Sequence, residues 1–144
     1  MKSDKQFSDS WKQHASGESR YLHWTREEPA NQVQLAFRSH WLLFQELLEK
    51  HPTRGKKCIE LGAGRGTMSM YFADAGWDCT LLDTSDDVLG IAKEAFEAHG
   101  LGGEMIVGDA TATGLPGGQY DVCVSIGLLE HIEDLAGALT EQVR

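Results

Sequence analysis

The sequence predicts an α/β fold built on a parallel sheet. Short apolar runs alternate with helical stretches from Lys56 onward, and the runs lack the polar face of a half-exposed strand. A glycine-spaced turn joins the first run to the first helix of this alternation. Together these features describe a doubly wound, Rossmann-like layout with helices on both faces of the sheet.

Each element follows from local signals. Residues 1–55 read as an N-terminal helical region, and residues 56–144 as the sheet-forming core. "NQVQLAFRSHWLLFQELLEK" sets Val33, Phe37, Trp41, Phe44 and Leu48 at three- and four-residue steps, the mark of an amphipathic helix. Asn31 is placed to cap it, and Pro52 with Gly55 closes it. "KCIEL" is the first strand, and "RGTMSMYFADAG" a helix ending at Gly76. "DCTLLD" is the second strand. "SDDVLGIAKEAFEAHG" is a helix with Ser85 as cap and acids in its first turn. "GEMIVGD" and "YDVCVSIG" complete four strands, parted by the turn-rich "ATATGLPGGQ". "EDLAGALTEQVR" reads as a last helix.

The bulk properties narrow the function. A formal net charge of −9 in 144 residues argues against broad attraction to nucleic acid or an anionic membrane. No apolar run approaches the ~18 residues that cross a bilayer. The polar N-terminus "MKSDKQFSDSWKQH" has no signal-peptide core, and Cys58, Cys79 and Cys123 lie in or beside apolar runs as expected of reduced, buried thiols. A cytoplasmic protein is the expectation. His14, His23, His40, His51 and His99 show no ligand spacing with cysteine or acid, so no metal site is expected.

Gly62, Gly64 and Gly66 form the turn after the first strand. Such a turn lets a ligand approach the backbone closely. A dinucleotide fingerprint requires glycine at position 67, and Thr67 stands there. Glu60 gives a second discrimination. A carboxylate ~5 Å from a phosphate charge would oppose it by roughly 3 kcal/mol at an effective dielectric of about 20. The same carboxylate attracts an ammonium. Asp83 ends the second strand, where a carboxylate accepts ribose hydroxyls. Asp109 ends the third, within reach of an adenine amine. A turn-forming role is the competing reading for both acids. Spacing and charge thus favour a cationic nucleoside.

"IELGAGRG", "LLDTS", "IVGDATATGLP" and "YDVCVSIGLLEHIED" resemble, in order, the motifs of class I S-adenosylmethionine-dependent methyltransferases. The resemblance covers roughly residues 56–136. It implies S-adenosyl-L-methionine as cofactor and a strand order of 3-2-1-4. It implies that Gly62, Ala63 and Gly64 lie against the methionine and ribose, and that Glu60 acts near the ammonium, largely by supporting the loop. Asp83 would take the ribose hydroxyls, with Thr84 beside the adenine. Asp109 and Ala110 would read the adenine edge, and Ser125 and Ile126 would approach the methionine amino group. Glu130 and His131 would stand at the mouth of the site.

His131 is the candidate general base; a loop-fixing histidine is the alternative. Tyr21 and Trp24 belong to a region that acts as a lid in similar proteins, with core packing the competing role. Arg20 is a candidate partner for the methionine carboxylate. The family's fifth to seventh strands, which often shape the acceptor pocket, have no counterpart before Arg144. The fourth strand is therefore expected at an open edge, where self-association can occur. Three functions follow: methyl transfer to a small-molecule acceptor, or the cofactor-binding part of such an enzyme; a non-catalytic nucleoside-binding module; and an NAD-dependent oxidoreductase fragment, disfavoured by Thr67 and Glu60.

Overall fold

The computed structural model describes residues 23–144. Their order is α1 (Gln32–Lys50), β1 (Lys57–Leu61), α2 (Thr67–Asp74), β2 (Asp78–Asp83), α3 (Asp86–Ala98), β3 (Glu104–Val107), β4 (Val122–Val124), a 3-10 turn (Leu129–His131) and α4 (Leu135–Val143). The strands form one parallel sheet in the order β3-β2-β1-β4, the order the resemblance implied. β1 and β2 are buried along all but their ends, as central strands covered on both faces must be.

Several boundaries are tighter than the sequence suggested. The fourth strand is Val122–Val124 rather than the whole of "YDVCVSIG", because it pairs only with Cys58–Glu60 of β1. Ser125 and Ile126 therefore follow the strand. α2 begins at Thr67, since Gly66 takes a left-handed conformation (φ 68°) as its N-cap.

α1 starts as expected: the Asn31 side chain accepts from the N–H groups of Val33 and Gln34. Its inward stripe packs on α2. Trp41 stacks on Tyr71 at 5.8 Å and meets Phe72 edge-on at 5.0 Å, while Phe44 and Trp77 close around the same Phe72 ring. These rings join Cys58, Cys79, Leu81 and Phe96 in a core on one face of the sheet. Cys58 and Cys79 are register partners in β1 and β2, and both are buried. Interaction with the Cys79 thiol, with burial, pushes the Cys58 thiol far up.

Trp24 belongs to this core. It is 2% exposed, edge-on to His99 at 5.0 Å and to Tyr71 at 6.3 Å. Arg38 fixes the segment by donating to the carbonyls of Thr25 and Glu27, both at 2.7 Å. Arg26 bonds Asp74 at 2.8 Å. Trp24 thus packs in the core. Arg20 and Tyr21 lie outside the described residues.

The other face carries a smaller cluster of Ile59, Leu61, Leu82 and Ala110, joined by Leu115, Tyr120 and Leu128. The loop between β3 and β4 covers much of it, pinned where the Tyr120 hydroxyl meets Thr80 at 3.2 Å. α4 docks on that loop: Glu141 accepts from the Thr113 N–H at 2.9 Å, and Arg144 donates to the Leu115 carbonyl at 2.7 Å. Hydrogen bonds from Arg144 and Thr113 hold the Glu141 carboxyl down to about 2. A cavity of about 250 Å³ remains between α4, this loop and the Ile59–Leu61 face, away from the glycine turn.

Phe72 is fully buried and touched by three aromatic rings. Phe72→Ala is expected to cost about 3–5 kcal/mol of unfolding free energy. Urea denaturation followed by circular dichroism checks this; a midpoint unchanged from the parent would refute the packing of α1 on α2.

Candidate functional site

The order in which the chain adds strands reverses at β1, since β2 and β3 lie to one side of it and β4 to the other. In open α/β sheets the crevice at the carboxyl ends of such strands is where ligands bind. The glycine turn leaves β1 at that point.

The three glycines do different things there. A side chain on Gly66 would run into Leu81 and Phe96, so this glycine lets α2 sit close on the sheet. One on Gly62 would meet Leu128 Cδ1 at 2.7 Å. Gly64 (φ 53°) has nothing within 4 Å of where its Cβ would be. It alone of the three opens onto free space.

Glu60 explains how the turn is held. Its carboxylate points under α2, where Oε2 accepts from the Ser69 N–H at 2.9 Å and the Ser69 hydroxyl at 2.6 Å. Ser69 is the third residue of α2, the place an N-cap side chain would normally reach. Gly66 has no side chain to send there, so the strand supplies the cap. Glu60 is 3% exposed, and its contacts are with Ser69 rather than with the open crevice. Burial is the main cause that pushes its carboxyl up to about 7; the Ser69 bonds pull the other way, and the charge of Asp83 adds to the rise.

Asp83 ties two loops together. Oδ2 accepts from the Gly64 N–H at 2.9 Å, and Oδ1 from the Ser85 N–H at 3.0 Å. The Gly108 N–H donates to the Asp83 carbonyl at 3.0 Å, which brings the loop bearing Asp109 alongside. The Ala63 N–H donates to the Leu82 carbonyl at 3.0 Å, and that of Gly66 to the Ala63 carbonyl at 2.7 Å. The N–H groups of residues 63, 64 and 66 are thus committed within the protein. A phosphate cradle needs such groups pointing outward. This turn instead sets the Asp83 carboxylate beside a glycine open to space, with the Glu60 carboxyl buried under α2.

The other expected residues fall as follows. Asp109 is exposed, and its Oδ1 accepts from the Thr111 N–H and hydroxyl, both at 2.7 Å. These bonds hold its carboxyl below the usual range, so it forms the turn and stays ionised. Ala110 is buried in the second-face cluster, and Thr84 is exposed between β2 and α3. Ser125 Oγ accepts from Gln142 at 3.0 Å, and Ile126 packs against the main core. His131 is exposed on the 3-10 turn, its N–H bonded to the Leu128 carbonyl at 2.9 Å. Among the described residues no group of histidines, cysteines and acids could hold a metal ion.

Two residues at the site escaped the sequence reading. Leu128 closes over Gly62, and nothing in its apolar surroundings announced that contact. Ser69 holds Glu60; a polar residue three places after a glycine cap was the available signal. His23, stacked on Phe37 at 5.8 Å, also lies near the turn, where burial and the Arg65 charge lower its pKa.

Residues 59–144 match the family model described as "Methyltransferase domain". The chain belongs to this methyltransferase-domain family. It is 31% identical over 105 residues to a ubiquinone biosynthesis O-methyltransferase of Methylococcus capsulatus, covering 71% of this chain and 44% of that protein. It is 34% identical over 91 residues to a demethylmenaquinone methyltransferase of Renibacterium salmoninarum, covering 62% and 36%. A solved Pyrococcus horikoshii protein superposes with a TM-score of 0.65 at 25% identity, over 88% of this chain and 61% of that one. The chain spans less than half the length of these two curated relatives.

Stability depends on pH through Glu60. Below about pH 4.5 its carboxyl is protonated in both the folded and unfolded chain. As pH rises toward about 7 only the unfolded chain loses the proton, so stability falls and then levels off. The span corresponds to about 3 kcal/mol. Glu60→Gln keeps an acceptor for Ser69 without the buried charge, and is expected to be the more stable chain near pH 8 and equal near pH 4.5. His23 acts in the opposite sense, so the difference between the two chains isolates Glu60. Thermal melts of both across this range measure it; parallel profiles would refute the assignment.

Proposed function

We propose that this chain binds S-adenosyl-L-methionine in the crevice above β1 and forms the cofactor-binding part of an enzyme that methylates a small molecule. The observation that carries this reading is the anionic glycine turn: Gly64 is open, its N–H is taken by Asp83, and Glu60 lies beneath. That arrangement suits a cationic nucleoside and opposes a pyrophosphate. It also favours methyl transfer over the oxidoreductase reading, which Thr67 already weakened.

The cofactor supplies a methyl group made electrophilic by its sulfonium. The chain's own residues bind and orient. Gly64 admits close approach to the backbone. Asp83, at the end of β2, holds the turn through Gly64 and Ser85 and in this proposal accepts the ribose hydroxyls with its remaining lone pairs. Thr84, Asp109 and the Ala110 backbone form the adenine side. Ser125 and Ile126 form the methionine side, where Leu128 over Gly62 excludes water. Glu60 keeps α2 and the turn in register and adds negative charge below the ligand. His131, on the turn that carries Leu128, is the proposed general base for an acceptor that must lose a proton.

The acceptor is proposed to be a small metabolite, as the names of the ubiquinone and menaquinone relatives suggest. A cytoplasmic location fits the three free cysteines. No helix of the described residues is long and apolar enough to cross a membrane. Among the described residues β4 pairs with β1 alone, so self-association through its outer edge is part of the proposal. Light scattering over a range of concentrations would show a rising mass; a constant monomer mass would refute it.

Calorimetric titration with S-adenosylmethionine and, separately, NAD tests the central reading. Binding of the first and not the second is expected. Asp83→Ala should weaken it by about 1.5–3 kcal/mol. Gly64→Val should abolish it, at a folding cost of about 1–2 kcal/mol for the left-handed backbone. Normal binding by folded Gly64→Val would make the turn structural only.

A further inference from the structure

Glu60 is a buried carboxylate with no cation beside it among the described residues. The groups facing it are few. From α2 come the Ser69 N–H and hydroxyl; from β2, the Asp83 carboxylate; within β1, the Cys58 thiol, whose register partner in β2 is Cys79. Val124, its register partner in β4, is apolar. Arg65 stands in the turn above, where its charge acts on His23. Both Ser69 bonds go to Oε2, so a proton on Oε1 leaves the cap of α2 intact.

We propose that S-adenosylmethionine binding expels a proton from Glu60, so that the site gains a second negative charge as the cationic ligand enters. This rests on the cofactor reading above. Without ligand, the carboxylate is buried next to a second anion and away from water, which favours the neutral form. A ligand bearing an ammonium and a sulfonium brings the missing positive charge to the turn, and favours the ionised form. The helix cap survives in either state, so the exchange needs no rearrangement of the fold. Glu60 thereby acts as a positioning residue whose charge follows occupancy.

The test is calorimetric titration of the chain with S-adenosylmethionine at about pH 6.5, in buffers of low and high ionisation enthalpy. The expected result is net proton release, with affinity rising up to about tenfold per pH unit below pH 7 and levelling above it. Glu60→Gln should lose the release and flatten the profile. If that variant does not fold, carboxyl NMR of the parent serves. One carboxyl titrating near 7 in the free chain should move down by about a unit or more when saturated. Binding without proton release, or release unchanged in Glu60→Gln, overturns the coupling and leaves the cofactor reading standing. No binding in any buffer overturns both.

Discussion

The bond between Glu60 and Ser69 governs the rest of the site. Close packing of α2 on the sheet demands glycine at position 66, because a side chain there would strike Leu81. That demand removes the usual source of an N-cap. β1 meets the deficit by sending a carboxylate under the helix, where its negative charge, when ionised, also complements the positive end of the helix dipole. A residue of the strand therefore caps the helix. The turn between them is left to glycines because both of its ends are already fixed.

Asp83 extends this arrangement sideways. By accepting from Gly64 and Ser85 it joins the first and second strand ends, and its carbonyl joins the third through Gly108. Three loops thus share one residue. The result is electrostatically unlike a phosphate-binding loop: the backbone donors face inward, and the charge left at the surface is negative. A fold of this class accepts many ligands. Here the distribution of donors and acceptors, more than the sheet itself, sets the charge of the preferred ligand.

Much of this was legible in the sequence. Alternating apolar runs gave the four strands, and Asn31 and Ser85 marked helix starts that their side chains do cap. Glu60, Gly64 and Asp83 could be singled out because charged and glycine residues are anomalous at strand ends. Their division of labour could not be read. Whether a glycine serves packing or access depends on what lies opposite, and Leu81 and Leu128 are distant in sequence. Trp24 was ambiguous for a similar reason: an aromatic in a polar segment looks like a lid until Tyr71 and His99 are seen around it. The short fourth strand and the loop-covered second face were equally hidden, since pairing length is decided by the partner strand.

The pairing of β1 with β4 bears on how the molecule is made. β1 and β2 are joined by a single short helix and can meet early, whereas Cys58 finds Val122 only after the whole β2–α3–β3 unit has been threaded between them. Long-range closure of this kind is slow and entropically costly. Gly62 and Leu128 belong to the two segments that this late step brings together. The crevice is thus among the last features to form on folding, and the first to open when the chain loosens. A ligand that bridges those segments would act as a clasp on the sheet, slowing its opening far more than its contact area alone would suggest.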